Sequence, residues 1–391
     1  MGKTAIAQGI GYPILLRPSF VLGGRAMVIV YDDASLKRYM AEAAEVSESR
    51  PVLVDRFLEN AIEVDVDAIS DGHRTVIGGI MEHVELAGVH SGDSACILPP
   101  PTLSPSVQET IRTYTRAFAE ALHVRGLMNV QYAVVNDTVY VLEVNPRASR
   151  TVPFVSKATG IPLAKLAALV MTGWTLDQLG FTQEVHPRHF SVKEAVFPFV
   201  RFPGVDVVLS PEMKSTGEVM GLDRSAGMAF YKSQVAAGNR IPTGGPIFLS
   251  VRDEDKPALR KLAPRLHALG FTIYATRGTS TLLRELGIPS LALFRISEGR
   301  PNVLDLVQEK GVGWIINTPS TGPAPRVDEV RMRAHTVMRG IPITTTMDGL
   351  RAAIEALETL RRYGGTMDVC SLQEYHRGLP KLALPREVRP S

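Results

Sequence analysis

The chain has 391 residues, 45% of them apolar and 21% charged, with a formal net charge of +3. That length allows two or three domains with substantial cores, and the composition is that of an ordinary soluble globular protein. The near-balanced charge gives no support for a nucleic-acid or membrane partner, and the two cysteines, Cys96 and Cys370, are too few for a disulfide framework and fit a reducing cytoplasm.

The start, MGKTAIAQGIGYP, has no long apolar region and is not a signal peptide. Residues 11–19 read as a strand, and residues 21–31 as a Gly-Gly turn feeding a second apolar run. A short amphipathic helix is expected over 34–44 and strands over 52–57, 61–69 and 75–85. The alternation of Ile62, Val64 and Val66 with Glu63, Asp65 and Asp67 suits a half-buried sheet. Ser104 caps a helix over 104–123, with Ile111, Tyr114, Ala117, Phe118 and Leu122 at helical spacing. A hairpin follows at 128–150, then helices over 162–172 and 175–179, a strand over 191–197 and a loop over 210–221. The apolar stretch 161–174 is broken by Lys165 and is too short to span a bilayer. GNRIPTGG, residues 238–245, is a turn-rich linker and the preferred domain boundary. Beyond it strands (247–251, 272–275, 290–293, 314–317) alternate with helices (256–269, 279–286, 303–310, 347–363), which predicts an open parallel sheet with helices on both faces. The last residues carry three prolines and read as a poorly ordered tail.

The hairpin MNVQYAVVNDTVYVLEVNPRASR carries the most chemistry. With the turn centred on Asp137, Gln131 falls opposite Glu143. Asn145 shares the face of Glu143, and Asn129 that of Gln131. One carboxylate and several amide oxygens at one sheet end suit Mg²⁺ or Mn²⁺ with a nucleotide phosphate, and Arg147 and Arg150 bring cationic forks to anionic oxygens. A half-solvated hairpin would carry the same residues, so spacing leaves both readings open. Arg17 precedes the Gly23-Gly24 loop, where backbone N–H groups can approach phosphates, although Gly-Gly also makes a tight turn. The loop Glu85-Leu-Ala-Gly88-Val89-His90-Ser91-Gly92-Asp93-Ser94 is dense in polar groups and glycine. In the second unit, Thr276-Arg277-Gly278-Thr279 follows a strand and opens a helix, where an anion is favoured, and Lys256, Arg295 and Asn317 lie near other predicted strand ends.

Gln131 followed by Glu143-Val-Asn145-Pro-Arg147-Ala-Ser-Arg150 resembles the metal and phosphate signature of the ATP-grasp enzymes, and NPRASR with HSGDS is similar to the carbamoyl-phosphate synthase large-subunit family. The resemblance runs from Gly11 to about Leu372. It implies an α/β chain: an α+β ATP-grasp domain over 1–237, incomplete at its amino-terminal end, an open parallel-sheet domain like methylglyoxal synthase over 238–365, and a tail over 366–391. It implies phosphoryl transfer from ATP to carbamate, giving carbamoyl phosphate for arginine and pyrimidine synthesis. By resemblance Arg17 binds ATP, Arg56 and Leu58 meet the adenine through backbone groups, Glu63 holds the ribose, and Gly88, Val89, His90 and Ser91 line the nucleotide. Gln131, Glu143 and Asn145 hold the metals, and Arg147 and Arg150 act on the donor and carbamate. Glu85 and Asp93 are candidates for K⁺ or effector contacts. Lys256, Thr276, Thr279, Arg295 and Asn317 form the nucleotide-effector site. The implied partners are the missing amino-terminal portion of the large subunit and a small glutaminase subunit. Two other readings stay open: a non-catalytic, effector-binding regulatory subunit or truncated product, and another ATP-grasp ligase such as biotin carboxylase.

Overall fold

The computed structural model of the chain describes residues 3–18, 27–46, 52–59, 61–85, 87–202, 204–309, 311–320, 323–380 and 382. The glycine loop at Gly23 and Gly24 lies outside the described residues. Helices α1 (Lys3–Ile10) and α2 (Asp33–Val46) pack against a small antiparallel sheet in the order β2-β1-β3, made of β1 (Ile14–Pro18), β2 (Val28–Val30) and β3 (Val52–Arg56). Ile14, Leu16, Val30 and Leu36 close its core.

The second sheet is antiparallel and larger. Its strands are β4 (Ile62–Asp71), β5 (Thr75–His83), β6 (Cys96–Leu98), β7 (Arg125–Val135), β8 (Thr138–Asn145), β9 (Phe190–Val196) and β10 (Gly217–Asp223), in the order β10-β9-β6-β5-β4-β7-β8. Helix α3 (Pro105–Ala121) covers one face through Val107, Ile111 and Ala119 against Val64, Val66 and Ile80. Helices α4 (Val152–Thr159) and α5 (Leu163–Met171) cover the other through Val155, Leu163 and Leu166 against Ile69, Val76 and Met81. Strand β4 is therefore buried on both faces rather than half-buried, and its acidic residues Asp65 and Asp67 go inside with it. Buried carboxyl groups need partners.

The third sheet is parallel, in the order β13-β12-β11-β14-β15, from β11 (Gly245–Ser250), β12 (Phe271–Thr276), β13 (Leu291–Leu293), β14 (Trp314–Asn317) and β15 (Ile343–Thr344). Helices α7 (Lys256–Ala268), α8 (Arg277–Glu285) and α11 (Met347–Arg362) cover one face, and α9 (Val303–Gln308) and α10 (Pro323–Met338) the other. The expected open parallel sheet is present, and the strand order reverses at β11, between β12 and β14. Helix α6 (Ala226–Ala236) lies on β9 and β10 and packs against α11, so one apolar core runs from Val192 and Ile97 through Phe230 to Leu249.

Several expectations are corrected. Residues 217–221 of the expected loop belong to β10, which runs on to Asp223; 175–179 form no helix; and α1, α4, α6 and α10 are additional helices. The inward stripe of α3 is Val107, Ile111, Thr115 and Ala119, while Tyr114 and Leu122 are exposed, because the Thr115 hydroxyl donates to Ile111 O and meets the Tyr132 hydroxyl at 2.7 Å. The expected tail holds α12 (Leu372–Tyr375), which opens with a capping box at Ser371 and docks by Tyr375 Oη to Leu222 O at 3.0 Å. Among the described residues no single helix is long and apolar enough to cross a membrane.

Candidate functional site

The hairpin turns on Asn136 and Asp137, both at positive φ (48° and 60°), as a two-residue primed turn requires. From that turn the register would set Gln131 opposite Leu142. A bulge between Gln131 and Tyr132 on the pairing side inserts one residue, so Gln131 pairs with Glu143 and Asn129 with Asn145. The expected metal residues therefore share one face at the edge of the large sheet. Asn145 Nδ2 donates to Glu143 Oε1 at 2.7 Å, and Arg147 Nη2 donates to Asn145 Oδ1 at 3.1 Å. Gln131 Nε2 donates to Ser91 Oγ at 2.9 Å, which ties the hairpin to the polar loop.

That loop sits between the two antiparallel sheets. Gly88, at φ +95°, donates its N–H to Glu63 Oε1 at 2.8 Å; a Cβ there would meet Phe57 at 3.1 Å and Ile29 at 3.3 Å. Glu63 is thus a loop anchor as well as the expected ribose contact, and its other oxygen lies 3.5 Å from His83 Nδ1. Partial burial, helped by the charge of Arg150, holds the His90 imidazole below its ordinary pKa, and its Nδ1 accepts from Gly92 N at 3.0 Å. His90 is therefore neutral at pH 7. Residues 206–216 close over the loop: His90 N donates to Ser210 O at 3.0 Å, and Asp93, 1% exposed, accepts from Lys214 N and Ser215 N. Asp93 anchors this strap instead of facing a ligand. Arg150 Nη1 lies 2.8 Å from Met213 Sδ of the strap.

On the small sheet Arg17 pairs with Asp55 at 2.8 Å, Arg56 is exposed and Leu58 half-buried. Val89 is half-buried in the loop. The structure thus gathers Glu63, Gly88, His90, Ser91, Gln131, Glu143, Asn145 and Arg150 at one place, and holds Arg17, Arg56 and Leu58 on the facing lobe.

Two buried polar residues in this region escaped the sequence reading. Lys193 on β9 is 1% exposed and donates from Nζ to Ser91 O at 3.1 Å and Gly92 O at 3.5 Å. The adjacent charges Lys193 and Glu194 inside the strand segment SVKEAV were the signal. Asp67 on β4 is fully buried and accepts from Asn129 Nδ2 at 3.0 Å, Ser149 Oγ at 2.7 Å and Thr151 Oγ1 at 2.7 Å. Its signal was the acidic alternation of EVDVDA on a strand buried on both sides.

In the parallel sheet three of the expected effector residues, Thr276, Thr279 and Asn317, meet around Ser250 at the end of β11. Thr276 Oγ1 lies 3.5 Å from Ser250 Oγ, and Asn317 Nδ2 donates to Ser250 O at 3.2 Å. Thr279 Oγ1 accepts from Val251 N at 3.1 Å, so this buried hydroxyl shapes the crevice floor. Lys256, close to Gly278 at the start of α8, pairs with Asp253 at 2.6 Å and holds its carboxyl below the ordinary pKa, with a lesser contribution from the charge of Arg295. The crevice is at the strand C-termini where the order reverses, the usual ligand position in open parallel sheets.

Residues 2–179 match the family model described as carbamoyl-phosphate synthase L chain, ATP binding domain, and residues 258–345 match the MGS-like domain. The carbamoyl phosphate synthase large chain of Archaeoglobus fulgidus is 55% identical over 372 residues, covering 95% of this chain and 34% of that one. That of Methanothermobacter thermautotrophicus is 53% identical over 375 residues, covering 95% and 35%. A protein of Methanocaldococcus jannaschii named carbamoyl phosphate synthase large chain, C-terminal section, is 52% identical over 380 residues, covering 94% of this chain and 61% of that one. The chain spans about a third of the length of the large chains it matches.

Proposed function

We propose that this chain, which belongs to the carbamoyl phosphate synthase large-chain family, carries the site that phosphorylates carbamate with ATP to give carbamoyl phosphate. The observation that supports this most is the pairing of Gln131 with Glu143 beside the His90–Ser91 loop and Arg150. One carboxylate and two amide oxygens are hard donors, suited to Mg²⁺ or Mn²⁺. Gln131, Glu143 and Asn145 would hold the metal, which supplies neutralisation of phosphate charge when bound. Neutral His90 and Ser91 offer hydrogen bonds to the nucleotide, and Arg147 and Arg150 stabilise negative oxygens on donor and carbamate. Glu63, Arg56 and Leu58 take the nucleoside end, Arg17 reaches the phosphates, and Glu85 is the candidate K⁺ contact.

We place the division between the two units at residues 238–245. The parallel unit takes a phosphorylated nucleotide effector at Lys256, Thr276, Thr279, Arg295 and Asn317. The partners are the amino-terminal portion of a large subunit, which makes carbamate, and a glutamine-hydrolysing small subunit, in the cytoplasm. The test is ADP formation from MgATP by this chain assembled with those partners. It should depend on carbamate and yield carbamoyl phosphate. ATP hydrolysis without carbamate dependence would reject the reading. Calorimetry with UMP or IMP tests the effector site: absence of heat at millimolar nucleotide would reject it.

A further inference from the structure

Residues 146–150, which carry Arg147 and Arg150, belong to no helix or strand. A segment outside the sheet ladder keeps a fixed place only if side chains anchor it. The neighbours of Arg150 on both sides, Ser149 and Thr151, turn inward and donate to the two oxygens of Asp67, each at 2.7 Å. Their hydroxyl oxygens also lie 2.7 Å from one another. Asn129, cross-strand partner of Asn145, donates to the same carboxyl group at 3.0 Å. Asp67 therefore touches β7 at the level of the candidate metal residues and grips the following turn on each side of Arg150.

We propose that Asp67 is a positioning residue of the phosphoryl-transfer site: through Ser149, Thr151 and Asn129 it sets the turn bearing Arg147 and Arg150 against the strand pair bearing Gln131, Glu143 and Asn145. It touches no substrate. It acts by geometry, and geometry is what phosphoryl transfer needs from a protein. Three oxygen–oxygen contacts close a ring of Asp67, Ser149 and Thr151. An asparagine amide can complete the same ring, its oxygen accepting from Ser149 and Asn129 and its nitrogen donating to Thr151. An alanine completes none of it. Removal of the anchor should act on kcat, where the arginines meet developing charge, more than on nucleotide binding, which the loop and the small sheet share.

The inference rests on the proposed function for its kinetic readout only. In the assembled enzyme, Asp67→Ala should lower kcat for carbamate-dependent ADP formation about 10-fold or more, with KM for MgATP within about 3-fold. Asp67→Asn should recover most of the rate. Should Asp67→Ala fail to fold, the pair Ser149→Ala with Thr151→Val, which leaves Asp67 in place, should give the same kcat loss. Hydrogen–deuterium exchange reads the anchor without the reaction: amides of 147–151 should exchange faster in Asp67→Ala or the paired variant, with those of β12 unchanged. Wild-type exchange at 147–151, or a wild-type kcat in the variants, would overturn the inference; so would Asp67→Asn falling as far as Asp67→Ala. If the wild-type assembly makes no ADP, the functional reading fails while the exchange result still decides the anchor.

Discussion

Arg333 on α10 grips Asp206 with two parallel donors, Nε to Oδ1 and Nη2 to Oδ2, both at 2.7 Å. Its third donor, Nη1, reaches Asn317 Oδ1 at 2.6 Å, at the end of β14. One guanidinium thus joins the crevice at the end of β11 to the strap 206–216 that closes over His90 and Asp93. Arg333 is 1% exposed, and loss of Asp206 leaves its buried charge with only the longer pairing to Glu329 at 3.6 Å. Burial opposes ionisation of Asp206, but the hydrogen bonds and charge of Arg333 outweigh it and hold the carboxyl below its ordinary pKa. A lowered folded pKa gives stability that is present above the unfolded value, about 4, and lost as pH falls through the folded one. Asp206→Ala should therefore cost about 2 kcal/mol in urea unfolding at pH 7, and less in acid. An equal cost at pH 3 and pH 7 would show that the ion pair does not carry the effect.

Glu143→Gln keeps the shape of the side chain and removes its charge. Glu143 is exposed on β8, so the fold should tolerate the change within about 0.5 kcal/mol. Carbamate-dependent ADP formation should fall by about 10²- to 10³-fold, the scale for losing one electrostatic contact in a transition state. A near-wild-type rate in a coupled ADP assay would remove Glu143 from the metal site.

The register of that hairpin was legible for a reason the sequence did not contain. A turn centred on Asp137 pairs Gln131 with Glu143; the real turn lies between Asn136 and Asp137, and the bulge near Leu142 restores the pairing. Bulges leave no period-2 signature, so two displacements cancelled. Strands β11, β12 and β14 and their helices were plain because apolar runs and turn residues alternate at regular spacing. The candidate residues near Ser250 followed from strand ends alone. The charges of Asp67 and Lys193 were visible in the sequence, but their burial was not, because it comes from packing against distant parts of the chain.

Gly221 explains a different miss. STGEVMG reads as a loop because glycine weakens a strand. In the fold it lies in β10, and a Cβ there would collide with Ala229 O and stand 2.5 Å from Ser233 N. Helix α6 can lie that close to β10 only over a glycine. Gly221→Ala should push α6 outward and destabilise by roughly 1–3 kcal/mol, the usual cost of overpacking. Since α6 also packs on α11, the loss should appear in one cooperative transition spanning both units. A melting curve unchanged from wild type would show that α6 shifts without cost.

Burial pushes the Asp67 carboxyl up to about 6, against the hydrogen bonds from Thr151, Ser149 and Asn129. The folded chain therefore holds that proton more tightly than the unfolded one, whose carboxyl titrates near 4. Stability linked to this group is fully present below about pH 4 and is lost as pH rises through about 6. Asp67→Asn is neutral throughout and removes this slope. Glu85, pushed up to about 7 by desolvation, and Glu194, raised well above its ordinary value by the same cause, add slopes of the same sign. Both remain in wild type and variant, so they cancel in the difference. The melting temperature of Asp67→Asn relative to wild type should rise from about pH 4 to about pH 6 and level off above about pH 7. A difference that is flat across that range would mean that Asp67 is ionised in the fold at every pH tested, and that its ring with Ser149 and Thr151 is held without the third proton.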